Sequence, residues 1–151
     1  DSGSSEMYDT ILVPVDGSEP ATAAAEEALC LAELSDATVL GLYVVDTTTN
    51  WLTVSKNEVR DSLRDLGESA GEQALAAFET RADDHELPVV TEMLEGTVDE
   101  AILDYATDND VDLVVMGTHG RDGVARRIVG SVAERVVRGA TVPVMTVTDD
   151  E

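Results

Sequence analysis

Gly117, Gly120 and the pair Gly130-Ser131, spaced Gly-x2-Gly-x9-Gly-Ser, follow the apolar run Val111-Asp-Leu-Val-Val-Met. Those residue types in that order suit the binding of phosphate. Glycine has no Cβ, so its backbone can approach an anion closely and adopt positive φ. The first N–H groups of a helix lack intrahelical partners and lie at the positive end of its dipole. With Gly130-Ser131 read as opening a helix, the Ser131 hydroxyl could donate to a phosphate oxygen, and the Val132 amide would point the same way. Two bland readings stand beside this one: ordinary turn glycines after a strand, and a serine serving as an N-cap.

Charge gives an independent argument. The chain carries 9 Lys and Arg against 32 Asp and Glu, a net charge of −23. A polyanion is repelled over most of such a surface. Relief is concentrated in one stretch, where Arg121, Arg126, Arg127, Arg135 and Arg138 fall close together. A guanidinium offers several donors to phosphate, which makes Arg121, Arg126 and Arg127 candidates for that contact. The competing role for each is an ion pair with one of the many carboxylates.

Other polar residues say less. Asp16 follows an apolar strand and is either a ligand group or an Asx-turn residue bonding its own backbone. His119 lies between two glycines, as a phosphate partner, a base or a solvated loop residue. His85 reads as surface, and the acidic runs as solvated faces. Cys30, the sole cysteine, excludes an intrachain disulfide. On its alanine-rich stretch it reads as a buried core thiol, and no metal site is expected from the protein itself. No Walker A lysine, HxGH motif, triad or histidine cluster marks a catalytic centre.

The elements that would position these residues alternate between strand and helix. Thr10 to Val15 is a short apolar run suited to a strand buried on both faces. Ser18 is a good N-cap and Pro20 fits the first turn of a helix over Ala21 to Leu34. Thr38 to Val45 is a second strand. Asp46 to Asn57, with Trp51, lacks period and reads as a mobile connection. A long helix from Glu58 to about Glu86 has an expected buried stripe of Val59, Leu63, Leu66, Ala70, Ala74, Ala77 and Phe78. Val89 to Leu94 is a third strand. Gly96-Thr97 introduces a helix burying Val98, Ala101, Ile102 and Tyr105. Val111 to Gly117 is the fourth strand, Ser131 to Arg138 a helix and Val142 to Val147 the fifth strand. This alternation predicts βαβ units and a parallel sheet covered on both faces.

At the glycine loop the chain resembles the universal stress protein family, in its ATP-binding branch. Tyr8-Asp-Thr-Ile-Leu-Val-Pro-Val-Asp-Gly-Ser is similar to that family's opening strand and turn, and Val142-Pro-Val-Met-Thr-Val to its closing strand. The likeness runs from about Met7 to Val147. It implies an α/β three-layer sandwich, Rossmann-like and akin to the adenine nucleotide alpha hydrolases, with a five-stranded parallel sheet in the order 3-2-1-4-5. In that order strands 1 and 4 are neighbours and create a switch point, where ligands bind at the carboxyl ends of strands. The likeness further implies bound ATP, with Mg or Mn held mainly by its phosphates. It places Pro14, Val15, Asp16, Val45 and Met116 about the adenosine. Gly117, His119, Gly120, Arg121, Arg127, Gly130, Ser131 and Val132 fall about the ribose and phosphates. Val45 is uncertain by one position against Val44.

Composition bounds the rest. Hydrophobic residues make up 43% of 151, enough for one domain with a real core, expected over 7–149. Residues 1–6 read as a tag or disordered lead. The net charge disfavours nucleic acid and anionic membrane as partners, and no stretch is long and apolar enough to span a bilayer. A cytoplasmic location is expected. One lysine, Lys56, against eight arginines on so acidic a chain points to salt adaptation, as in a halophilic archaeon. In about 1 M salt the Debye length shrinks to about 3 Å and self-repulsion is screened. The fifth strand, an apolar sheet edge, calls for a cover; pairing with its own copy would give a two-fold homodimer. Three functional readings follow: a nucleotide-dependent regulatory stress-response module, a slow ATPase using His119, Asp16 or Asp46 to position water, and a dimeric interaction module without nucleotide.

Overall fold

A computed structural model describes the backbone of residues 9–46, 57–118 and 124–148, with side chains except at 46, 57–64, 124–131 and 148. Its strands are β1 (Thr10–Pro14), β2 (Thr38–Asp46), β3 (Val89–Gly96), β4 (Leu113–Thr118) and β5 (Val144–Thr148). Its helices are α1 (Glu19–Ser35), α2 (Asn57–Asp84), α3 (Val98–Asp108) and α4 (Val124–Gly139). The five strands form one sheet in the order β3-β2-β1-β4-β5, and all four pairings are parallel. This is the architecture the sequence led us to expect. The expected connection over Asp46 to Asn57 lies largely outside the described residues.

Side-chain alternation builds the three layers. Along β1 and β4, Ile11, Val13, Leu113 and Val115 point to one face and pack against α1 and α2 residues including Leu29, Leu75 and Phe78. Leu12, Val114 and Met116 point to the other face, against Ile102 of α3 and Val136 of α4. Both faces are buried, so the central strands read as unbroken apolar runs. Asp112 secures the start of β1: its Oδ2 accepts from the amides of Asp9 at 2.9 Å and Thr10 at 3.0 Å.

Two helices differ from expectation. Among its described side chains α2 buries Gly71, Leu75, Phe78 and Ala82, with Ala74 half-buried, while Leu66 is 67% exposed and Ala70 and Ala77 face solvent; the side chains of Val59 and Leu63 lie outside those described. A stripe read from apolar periodicity leaves out Gly71, which carries no side chain. Its bare Cα is what admits Tyr43 and Met93, whose side-chain atoms lie 2.8 and 2.7 Å from where a Cβ would stand. Helix α4 begins at Val124, seven residues before Ser131. Val124, Ile128, Val132 and Val136 recur every four residues, so the segment before Gly130 already has the helical period. One interior glycine costs only about 1 kcal/mol against alanine. Gly130-Ser131 therefore lies inside α4 and does not open it.

Candidate functional site

Where β1 and β4 leave the sheet side by side, their carboxyl ends frame a crevice of about 190 Å³. Its floor is Pro14 and Val15 from β1 and its exit, with Met116 and Gly117 from β4. Leu42, Tyr43 and Val44 of β2 form one wall. Val98 and Ile102 of α3 and Val132 of α4 close the opposite side, and Asp16, Ser18 and Ala21 form the rim. The register aligns these walls: Pro14 pairs with Leu42, and the Val15 amide donates to the Leu42 carbonyl at 2.8 Å. The lining is mostly aliphatic, so the crevice suits an apolar, flat group better than a charged one.

The rim is tied to the start of α1. Asp16 Oδ1 accepts from the Ser18 amide at 2.9 Å, an Asx-turn, with Gly17 at φ +82° between them. Ser18 is the N-cap of α1, and its Oγ accepts from the Ala21 amide at 3.3 Å. Asp16 itself is exposed. Burial raises the Tyr43 phenol above its ordinary pKa, with the Asp16 charge adding to the effect. The rim thus presents one solvated carboxylate, while the Tyr43 ring packs beside Gly71 of α2 on the other face of the sheet.

Gly117 lies within β4, paired with Val147 of β5. A Cβ there would stand 2.2 Å from the Pro20 carbonyl carbon and 2.5 Å from the Ala21 nitrogen. Those are backbone atoms and cannot swing aside. Gly117 is what lets the first turn of α1 lie against β4, a packing role that spacing alone did not reveal.

Of the site residues expected from sequence, Pro14, Val15, Asp16, Met116, Gly117 and Val132 line this one crevice. Val45 does not. It is 5% exposed and turned toward α2, its Cγ1 2.9 Å from where a Gly67 Cβ would stand. Strand alternation puts its neighbour Val44 on the crevice side instead. Val132 reaches the crevice from the interior of α4, so no free helix tip accompanies it. His119, Gly120 and Arg121 lie outside the described residues. So do the side chains of Arg126, Arg127 and Ser131, though their backbone is helical. Arg138 Nη2 donates to Glu134 Oε2 at 2.7 Å, and Arg135 lies 3.9 Å from Asp99, so these two guanidiniums take the ion-pair role.

Tyr43, Leu42, Val98 and Ile102 were missed. Their signal was topological: only a sheet that places β2 beside β1 and α3 over that face brings them to the crevice. Cys30 and His85 also depart from expectation. Cys30 is exposed, because the face of α1 that meets the sheet is Ala21, Ala24, Ala25, Ala28 and Leu29. The His85 imidazole is only 15% exposed, held between Glu26 and Glu33.

The universal stress protein family model matches residues 7–148. The chain belongs to the universal stress protein family. Universal stress protein MJ0531 of Methanocaldococcus jannaschii is 36% identical over 141 residues, 93% of this chain and 82% of that protein. The solved structure of universal stress protein UspA from Lactobacillus plantarum matches with a TM-score of 0.78 at 31% identity, covering 93% of this chain and 97% of that one. MJ0577, also of Methanocaldococcus jannaschii, gives a TM-score of 0.83 at 26% identity, covering 96% and 99%. The fold also matches a universal stress protein in complex with cAMP (TM-score 0.70, 21% identity), covering 94% of this chain and 98% of that one. An Arabidopsis thaliana member with AMP bound (0.70, 19%) covers 94% and 92%. An Archaeoglobus fulgidus member in complex with dAMP (0.68, 20%) covers 93% and 98%. Among the described residues, no helix is long and apolar enough to cross a membrane.

Proposed function

We propose that this chain is an ATP-binding regulatory member of the family, a single domain over 7–149 in which nucleotide occupancy sets conformation or partner choice. The observation that carries the reading is the crevice at the β1/β4 switch point. At about 190 Å³ it is smaller than the roughly 300–1,000 Å³ of a site enclosing a whole drug-sized ligand. It fits the apolar ring of a ligand whose polar remainder extends outside. In this reading adenine packs against Val44, Met116 and Val132, and the ribose meets Asp16. The triphosphate then runs toward the segment bearing Gly120, Arg121 and Arg127, where the charge repulsion is relieved. Mg or Mn is held mainly by the phosphates. The solved relatives with cAMP, AMP and dAMP support the adenine choice.

A second reading, an interaction module without nucleotide, has one specific observation in its favour. Gly117 is required by the packing of α1 and Gly130 lies inside α4, so both have structural reasons to be where they are. Calorimetric titration with ATP and GTP in high salt, with mass spectrometry of nucleotide released from the purified protein, separates the two. The first reading expects saturable ATP binding and weaker GTP binding. Absence of both binding and co-purified nucleotide establishes the second. We also propose a cytoplasmic homodimer through β5, an edge strand whose Val144, Met145 and Val147 are only half-buried in one chain. A monomer by light scattering in high salt would refute that assembly.

A further inference from the structure

Away from the crevice, α1 and the end of α2 bring together a mixed group of metal-ligating side chains. Glu26, Cys30 and Glu33 lie at i, i+4 and i+7 of α1 and share a face. His85 follows the last residue of α2. Its amide donates to the Ala82 carbonyl at 3.0 Å, and Glu86 at φ 56° turns the chain away. The imidazole drops onto that face of α1. Its Nε2 lies 2.8 Å from Glu26 Oε2 and its Nδ1 2.7 Å from Glu33 Oε2. Cys30 Sγ lies 4.0 Å from the same Glu26 Oε2. Arg81 Nη1 holds the other oxygen, Glu26 Oε1, at 3.1 Å and so fixes the carboxylate. One ligand atom from each of Glu26, Cys30 and His85 falls within 4.8 Å of the others.

We propose that Glu26, Cys30 and His85 form a binding site for a borderline-soft divalent cation, Zn²⁺ by preference, with a fourth position open to solvent. Tetrahedral Zn²⁺ with ordinary bond lengths spaces its O, N and S ligands about 3.3–3.6 Å apart. Reaching that spacing means opening the 2.8 Å Glu26–His85 contact and closing the 4.0 Å Glu26–Cys30 contact. Each is an adjustment of roughly 0.5 Å, and Cys30 and His85, within 4.8 Å of each other, close to the same spacing by side-chain rotation. The donor set decides the metal class. Thiolate with imidazole selects Zn²⁺ over Mg²⁺ or Ca²⁺, which demand oxygen.

Glu33 acts through His85 and is a positioning residue. By accepting from Nδ1 it leaves the Nε2 lone pair for the metal, the carboxylate–histidine–zinc arrangement. The local field favours a cation as well. Glu26, Glu27 and Glu33 place three carboxylates on the stretch of α1 about Cys30, and a dication there offsets their mutual repulsion. Side chains of Glu26 and Glu33 are 44% and 45% exposed, which leaves an entry path. A bound ion would tie the middle of α1 to the end of α2.

The test titrates Zn²⁺ against a competing chelator dye into metal-free protein, without nucleotide. High salt and excess Mg²⁺ keep carboxylate-only sites from contributing. One Zn²⁺ per chain is expected. Cys30→Ser and His85→Gln should each weaken it about tenfold or more, and Glu33→Gln about 10- to 100-fold. Co²⁺ in place of Zn²⁺ should give the visible bands of a tetrahedral ion and a thiolate charge-transfer band, the latter lost in Cys30→Ser. Circular dichroism confirms that each variant folds. No Zn²⁺ uptake beyond what Mg²⁺ displaces, uptake unchanged in these variants, or a Co²⁺ spectrum without the thiolate band would overturn the proposal.

Discussion

The β1/β4 crevice and the α1/α2 cluster are built by opposite means. The crevice is made of backbone ends and aliphatic walls, and its geometry is inherited from the parallel register of the sheet. The cluster is made of four polar side chains, and it exists only because two helices cross at one spot. The first kind of site takes its shape from the core beneath it. The second is adjustable, charged and sensitive to every titration around it.

Substitutions should expose that contrast. The largest effect is expected at Gly117, where a valine places atoms onto the backbone of Pro20 and Ala21. Overpacking typically costs about 1–3 kcal/mol, and here the obstacle cannot rotate away. Gly117→Val should lose more than that range in urea unfolding, and its crevice with it. A variant as stable as the parent would mean that α1 does not lie so close to β4. Ile102, 1% exposed and on the crevice wall, comes next. Ile102→Ala should cost about 2–5 kcal/mol and enlarge the crevice. Ser18→Ala removes the cap of α1 and should cost about 0.5–2 kcal/mol, read from the same unfolding curves.

The cluster should answer to pH through its own titrating groups. The hydrogen bond to Glu33 raises the His85 pKa, against a smaller opposing effect of burial, and Glu26 adds to the rise. Its contribution is therefore fully present below the ordinary imidazole value of 6.5 and is lost as pH rises through the raised one. For Glu26, burial pushes upward, but hydrogen bonds from Arg81 and His85 prevail and lower the pKa below 4.5. That part is present above 4.5 and is lost as pH falls through the lowered value. With Cys30 beside them and a chelator present, the cluster helps most between those limits. Melting temperature followed upward from mildly acidic pH should fall in the parent and fall less in His85→Gln. Parallel curves would remove the cluster from the stability account.

Legibility in the sequence followed the same division. The sheet could be read because buried strands such as Ile11–Val13 and Leu113–Met116 leave continuous apolar runs, and the order of the strands came with the family likeness. The floor of the crevice followed, since Pro14, Val15, Met116 and Gly117 sit at or near strand ends. The walls did not. Leu42 and Ile102 are remote in sequence and meet only through topology, and the period-two alternation that separates Val44 from Val45 needs an exact register. Glycine misleads twice: Gly71 belongs to a buried stripe that apolar periodicity leaves out, and Gly130 lies inside a helix whose four-residue period of Val124, Ile128 and Val132 runs through it. Gly117 lines the crevice and also lets α1 pack against β4. The cluster had no local signal, because β2 and the whole of α2 separate His85 from Glu26 and Cys30.

The central claim is that the crevice receives the adenine of a nucleotide, and a crystal structure of the protein grown with ATP in high salt tests it most directly. The account predicts density for the ring between Val44, Met116 and Val132, with the phosphates running toward Arg121 and Arg127. An ATP-soaked crystal with that crevice filled by side chains, or with the nucleotide bound elsewhere, would contradict it.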